Sequence, residues 1–171
     1  MNYFQLNPAT GTVAPNFANL FAAYNGANNF AAALAAPTGN LTRGVPLGNG
    51  TTLTTNQRTQ LALNAGSVAC VTGMITCTAV IAKCGASPYF VLHAGSGVLD
   101  AAAQNTLTQL RNAFGPGGQA VYVIPEHAHV LTYRNDVDAL NALGYDTCFI
   151  TCPGGSIGSV QVNGAGNLYL L

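Results

Sequence analysis

Two short apolar runs joined by a turn constrain this chain more than any other feature. Thr76–Ala82 and Tyr89–Ala94 are mostly β-branched, aromatic or small residues, and Gly85-Ala-Ser-Pro88 lies between them. Runs of this length and composition, bounded by Gly and Pro, read as strands, and so short a connection closes them as an antiparallel hairpin. A hairpin closing near Gly85 opposes positions whose numbers sum to about 170, as Cys77 and His93 do. Directly opposed side chains have Cβ atoms about 5 Å apart, close enough for a thiol and an imidazole to share a proton. The hairpin therefore predicts antiparallel sheet and makes Cys77 and His93 the first candidates for a nucleophile and its base.

The remaining segments group around that hairpin. Residues 1–14 are polar and turn-rich and read as extended. Phe17, Leu20, Phe21 and Tyr24 stand at helical spacing, which predicts a helix over 16–24, with a second helical piece over 28–35. The Gly-, Pro-, Thr- and Asn-rich stretch 37–52 reads as a surface loop, followed by a short helix over 55–64. Beyond the hairpin, Ser96 is placed to cap a helix over 97–114 whose face Leu99, Ala103, Leu107, Leu110 and Phe114 has helical spacing. Strands are predicted at 120–124, 128–133, 146–152, 156–162 and 167–171, and a helix at 136–143 ended by Gly144. The sum is a single α+β domain over 1–171, mostly antiparallel and folded as a β-sandwich, with helices outside. Gly154-Gly-Ser-Ile-Gly158 lacks the strand–helix context of a phosphate loop and reads as a turn.

Charge removes several function classes. Only 6% of residues are Asp, Glu, Lys or Arg and the net charge is zero, against a usual charged fraction of ~25%. With no basic stripe to meet phosphates, no nucleic-acid partner is expected. No apolar run approaches the ~18–20 residues that span a bilayer, and the first residues carry no secretory signal pattern, so no membrane partner is expected either. Lys83 is the sole lysine. Cys70, Cys77, Cys84, Cys148 and Cys152 are odd in number, so at least one thiol stays free, and their spacing is not that of a zinc site. His127 and His129 share a parity that could face a metal, but no third ligand accompanies them.

A thiol attacks an acyl carbon as thiolate and needs a neighbouring base or positive charge. The hairpin supplies the imidazole, and the Cys77 amide is a natural oxyanion donor. Thr72, a few residues upstream, or a backbone carbonyl could hold the His93 ring. The other four cysteines read as small apolar fillers.

Thr76-Cys77-Thr78-Ala-Val-Ile-Ala82, a turn, and Tyr89-Phe90-Val-Leu-His93-Ala94-Gly95 resemble the active-site segment of the cytotoxic necrotizing factor and Burkholderia lethal factor-like glutamine deamidase toxins. In that family a Cys opens one strand and a His closes its partner. Where the family has Leu-Ser-Gly-Cys, this chain has Met74-Ile-Thr-Cys77. The resemblance covers about 30 of the 171 residues. It implies a β-sandwich with flanking helices, Cys77 as nucleophile, His93 as base, and a Thr or backbone carbonyl as third element, for which Thr72 is the candidate. It further implies a secreted or translocated effector that deamidates a glutamine of a host regulatory protein, such as a Rho GTPase or a translation factor. The expectation is a monomer that needs no cofactor and no metal. Two other readings stand beside it: a cysteine peptidase or amidase using Cys77 with His127 or His129, and an adhesive or assembly domain without chemistry.

Overall fold

The computed structural model describes residues 1–10, 15–24, 26–95 and 99–171, apart from the side chains of Ala9 and Thr10. Eleven strands and three α-helices are arranged among them in chain order. They are β1 (Asn2–Thr10), α1 (Phe30–Ala35), β2 (Gly39–Arg43), β3 (Thr51–Leu53), β4 (Arg58–Leu61), β5 (Val68–Thr72), β6 (Thr78–Cys84) and β7 (Tyr89–Ala94). Then follow α2 (Ala101–Phe114), β8 (Gly118–Val123), α3 (Arg134–Ala142), β9 (Tyr145–Thr151), β10 (Ser159–Asn163) and β11 (Leu168–Leu170). Two 3-10 helices, Phe17–Phe21 and His127–Tyr133, complete the list.

A seven-stranded sheet in the order β2-β1-β9-β8-β6-β7-β4 is the middle layer. The four-stranded sheet β11-β10-β5-β3 covers one face and the α-helices cover the other. Val80, Ala82, Leu92 and Tyr122 face Leu107 and Leu140 of the helices. Ala79, Ile81, Val91 and Val123 face Val71, Val160 and Leu168 of the second sheet. A strand buried on both faces needs apolar residues at every position, which is why β6 and β8 read as continuous runs. The α+β class, stacked sheets and outer helices agree with the sequence. Within the large sheet, β2, β1, β9 and β8 form a parallel block, so both sheets are mixed.

The hairpin forms with a different register from the one expected. Thr78 pairs with Ala94 and Ala79 with His93, so paired numbers sum to 172. The turn is centred on Ala86: Ser87 N–H donates to Cys84 O, the Ser87 hydroxyl accepts from Cys84 N–H, and Gly85 supplies a φ of 51°. Cys77 is therefore not directly opposite His93. The shift is two residues, and because side chains alternate with period two, Cys77 keeps the parity of Ala79 and His93.

Other segments also depart from their expectations. The predicted helix at 55–64 is a turn followed by β4, which takes the free edge of β7. An open ladder there outweighs the helical propensity of Gln, Arg and Leu. The predicted loop 37–52 holds β2 and the start of β3, whereas residues 1–14, expected to be extended, do include an extended element, the interior strand β1. The predicted strand at 128–133 is a 3-10 helix running directly into α3. Val130, Tyr133, Val137 and Leu140 are its buried residues, a helical spacing already present in the sequence. Only Phe17–Phe21 of 16–24 is helical, as a 3-10 turn capped by Asn16. Asp100, not Ser96, caps α2, its carboxylate accepting from Ala103 N–H. Ser96 lies outside the described residues, as do 11–14.

Strand directions decide where chemistry can collect. β1, β2, β7, β8 and β9 run one way, β4 and β6 the other. One rim of the large sheet therefore gathers the ends of the first five strands and the starts of the other two. Arg43, Cys77, His93, Thr151 and Cys152 stand on that rim, with Glu126 and His127 just past β8. Asp136 braces it from the helix layer, accepting from Tyr122 O–H at 2.5 Å and Leu99 N–H at 2.9 Å. Burial pushes the Asp136 carboxyl above its usual 3.8, and those two hydrogen bonds act against the shift. A carboxyl raised in the folded state loses stability as pH rises from about the unfolded value through the folded one. Urea unfolding of the wild type and Asp136→Asn should therefore show the wild type losing ground to the variant as pH rises through that window, then a constant difference.

Candidate active site

The site is organised by the segment between β3 and β4. Thr54 to Gln57 forms a turn in which Gln57 N–H donates to Thr54 O and the Gln57 side chain accepts from Thr54 N–H. Asn56 sits in the left-handed region at φ 66°, a conformation Asn tolerates better than most residues. Its N–H donates to His93 O at 2.7 Å, while His93 N–H donates to Gln57 O at 3.0 Å. Two residues of one strand thus serve a single residue of the other, the arrangement of a β-bulge. The Asn56 side chain also accepts from Gly95 N–H at 3.3 Å. A Cβ on Gly95 would come within 2.9 Å of the Thr55 methyl carbon, so glycine there leaves room for the turn.

This turn brings two groups to the hairpin. Leu53 O, at the end of β3, lies 2.9 Å from His93 Nδ1. The Thr55 hydroxyl lies 3.7 Å from Cys77 Sγ. A carbonyl can only accept, so Nδ1 carries the hydrogen, and in the neutral ring Nε2 is left with the lone pair. His93 is 2% exposed, and its Nε2 is buried without a hydrogen-bond partner among the described residues. An unsatisfied buried polar atom costs about 1–3 kcal/mol, so it marks a place where the fold is not optimised for stability alone. Cys77 lies immediately before β6, two residues from Ala79, the residue opposed to His93.

The segment before Cys77 is held at both ends. Met74 is buried in the inter-sheet core, and its N–H donates to Gly158 O. Tyr133 O–H donates to Thr76 O at 2.9 Å. Burial pushes the Tyr133 phenol up, and negative charge at Cys77, Glu126 and Asp136 pushes the same way, so Tyr133 remains a neutral donor beside the thiol. Ile75 and Leu131 are exposed apolar side chains, each two residues from Cys77 or Tyr133.

The other predicted residues fall elsewhere. Thr72 is exposed on β5, paired with Ser159 in the second sheet. The His93 ring is held by the Leu53 carbonyl, the second of the two groups considered for that role. His127 Nδ1 is within 3.1 Å of Tyr3 Oη and 2.9 Å of Thr151 Oγ1. His129 Nδ1 lies 3.3 Å from the Glu126 carboxylate. All five cysteines are free. Burial pushes the Cys70 and Cys148 thiols up, Cys84 donates to Tyr145 Oη at 3.4 Å, and Cys152 is fully buried beside Arg43. Among the described residues no three His, Cys, Asp or Glu side chains group to hold a metal, and no helix is long and apolar enough to cross a membrane.

Leu53, Thr55 and Tyr133 were not legible as site residues. Thr55 and Tyr133 lay in segments read as helix and strand respectively, and a main-chain carbonyl leaves no residue-type signal. Asn56, a residue suited to left-handed backbone, was the single local hint of a turn.

Cys77 is the one cysteine that is not buried. Native iodoacetamide labelling should add one equivalent, abolished by Cys77→Ser, with the other four thiols reacting only after denaturation. Intact mass with peptide mapping reads this directly.

No family model matches the chain, and no curated protein matches it.

Proposed function

We propose that the protein is a thiol-dependent amidohydrolase that converts a glutamine side chain of a protein substrate to glutamate. The observation that carries this reading is His93: Nδ1 is committed to the Leu53 carbonyl and Nε2 is buried without a partner among the described residues, while the Thr55 hydroxyl of the same turn lies 3.7 Å from the Cys77 sulfur. An imidazole held at one nitrogen, with a lone pair left on the other, suits a general base for the partly exposed Cys77 thiol. The resemblance of the hairpin to glutamine deamidase toxins supplies the substrate class, and with it the expectation of a host regulatory protein as target and of a secreted or translocated effector.

In this mechanism His93 Nε2 takes the Cys77 proton and the thiolate sulfur attacks the carboxamide carbon. The Thr55 hydroxyl steadies the thiolate and the Cys77 amide faces the developing oxyanion. His93 returns the proton to the departing nitrogen, which leaves as ammonia, and a thioester remains. Water, losing its proton to His93, hydrolyses the thioester to glutamate and regenerates the thiol. An amine in place of water would give transglutamination. The His127 and His129 rings are engaged with Tyr3, Thr151 and Glu126, which favours His93 as the base.

Candidate target proteins incubated with the enzyme should gain about 1 Da per site and release one ammonia, the balance of carboxamide hydrolysis. Cys77→Ser should abolish both, and His93→Ala should slow them by about 10²–10⁴-fold, the usual contribution of a general base. Ammonia release that persists in Cys77→Ser would sink the proposal.

A further inference from the structure

The turn that reaches Cys77 is the apex of an arch whose two legs belong to different sheets. β3 is the terminal strand of the small sheet and β4 the terminal strand of the large one. Between the legs lies an open cleft of about 440 Å³, lined by Thr51, Thr59, Gln60, Leu61, Ser67 and Val68 among others. No residue lining it is charged, so a phosphate backbone has nothing to meet there.

The phase of the β4–β7 ladder decides which backbone groups are open. His93 N–H donates to Gln57 O, and the register continues with Thr59 opposite Val91 and Leu61 opposite Tyr89. In an antiparallel pair the bonded positions alternate, so Thr59 and Leu61 turn their N–H and C=O groups toward β7. Arg58 and Gln60 then turn theirs outward, along an edge that no other described strand pairs, and both residues are exposed. A free edge with regularly spaced donors and acceptors is a template for one more strand.

We infer that the edge of β4 takes an extended segment of the protein substrate as an added strand, which leads a glutamine past Thr55 to Cys77. Resting on the thiol amidohydrolase reading, this names its substrate class: a polypeptide that can present a short extended stretch of uncharged residues. The Thr54–Gln57 turn leads directly into β4 at Arg58, so a strand added along that edge runs toward the turn that carries Thr55. Main-chain hydrogen bonds supply affinity in such a mode, and side-chain selection falls to the cleft.

Binding is tested separately from chemistry by using Cys77→Ser and an alternating Thr-Val peptide carrying one glutamine. Amide hydrogen exchange should slow at Arg58 and Gln60 when the peptide is added, and the same peptide N-methylated at alternate backbone nitrogens should not do this. Equal binding of the N-methylated peptide, protection confined to other strands, or no protection at all would overturn the inference. So would slow, concentration-dependent exchange at those amides without peptide, which would assign the edge to a second copy of the chain. In the active protein, Gln60→Pro removes an outward N–H and no ladder bond. It should raise KM by roughly tenfold at unchanged kcat, with Cys77 labelling unaltered. Peptide binding without ammonia release would defeat the deamidase reading alone; turnover with unchanged KM in Gln60→Pro would defeat the edge alone.

Discussion

Burial of the seven-stranded sheet on both faces is the constraint on which the rest of the molecule depends. Helices occupy one side and the small sheet the other, so interior positions of β6, β7, β8 and β9 have little room for unpaired polarity. The chain meets this with few charges and with polar groups that are mostly matched. Asp136 has Tyr122 and Leu99, Thr151 has Tyr3 and His127, and Ser87 closes the hairpin turn. Chemistry is displaced to the rim, where strand ends and loops meet water. Clefts at the carboxyl ends of parallel strands are the usual ligand sites of open sheets, and the mixed sheet here places Cys77 between such ends.

At that rim, one short arch does three things through main-chain bonds. It terminates the large sheet with β4, fixes the backbone of His93 through Asn56 and Gln57, and sets the tautomer of the imidazole through Leu53. A left-handed residue followed by a bulge changes the strand direction and turns Thr55 toward the thiol. The same arch leaves the edge of β4 unpaired among the described strands. Fixing the His93 ring and leaving the β4 edge open are therefore two consequences of one backbone conformation.

Much of the fold was readable from local pattern. The hairpin strands, α2, β8, β9 and the two last strands carry continuous apolar runs or helical spacing that their environment demands. The misread parts share a different property. β4 and β3 are short edge strands, three of their seven residues Thr, and exist because a neighbouring strand offers an unpaired ladder. β1 is a polar-looking strand held between β2 and β9, with Tyr3 and Leu6 as its buried contacts. His127–Tyr133 looked like a strand because its residues were weighed for β propensity when their buried spacing runs on into α3. Around the hairpin, Cys77 and His93 were legible as residue types, whereas Thr72 stands opposite Ser159 in the second sheet and the contacts of Leu53, Thr55 and Tyr133 were not visible.

The amino-acid sequence by itself determined the α+β class, the central hairpin, and the presence of a thiol and an imidazole of equal numbering parity, one just before β6 and the other within β7. Parity follows from a period of two, which survives the two-residue change in register. The register itself was decided in the turn, where Ser87 bonds Cys84 and moves the centre of the hairpin by one residue. Only the tertiary structure could supply the partner of His93 Nδ1, because that partner is a carbonyl from another sheet, forty residues away in the chain. A main-chain oxygen has the same chemistry at every residue, so its role depends on where the fold brings it.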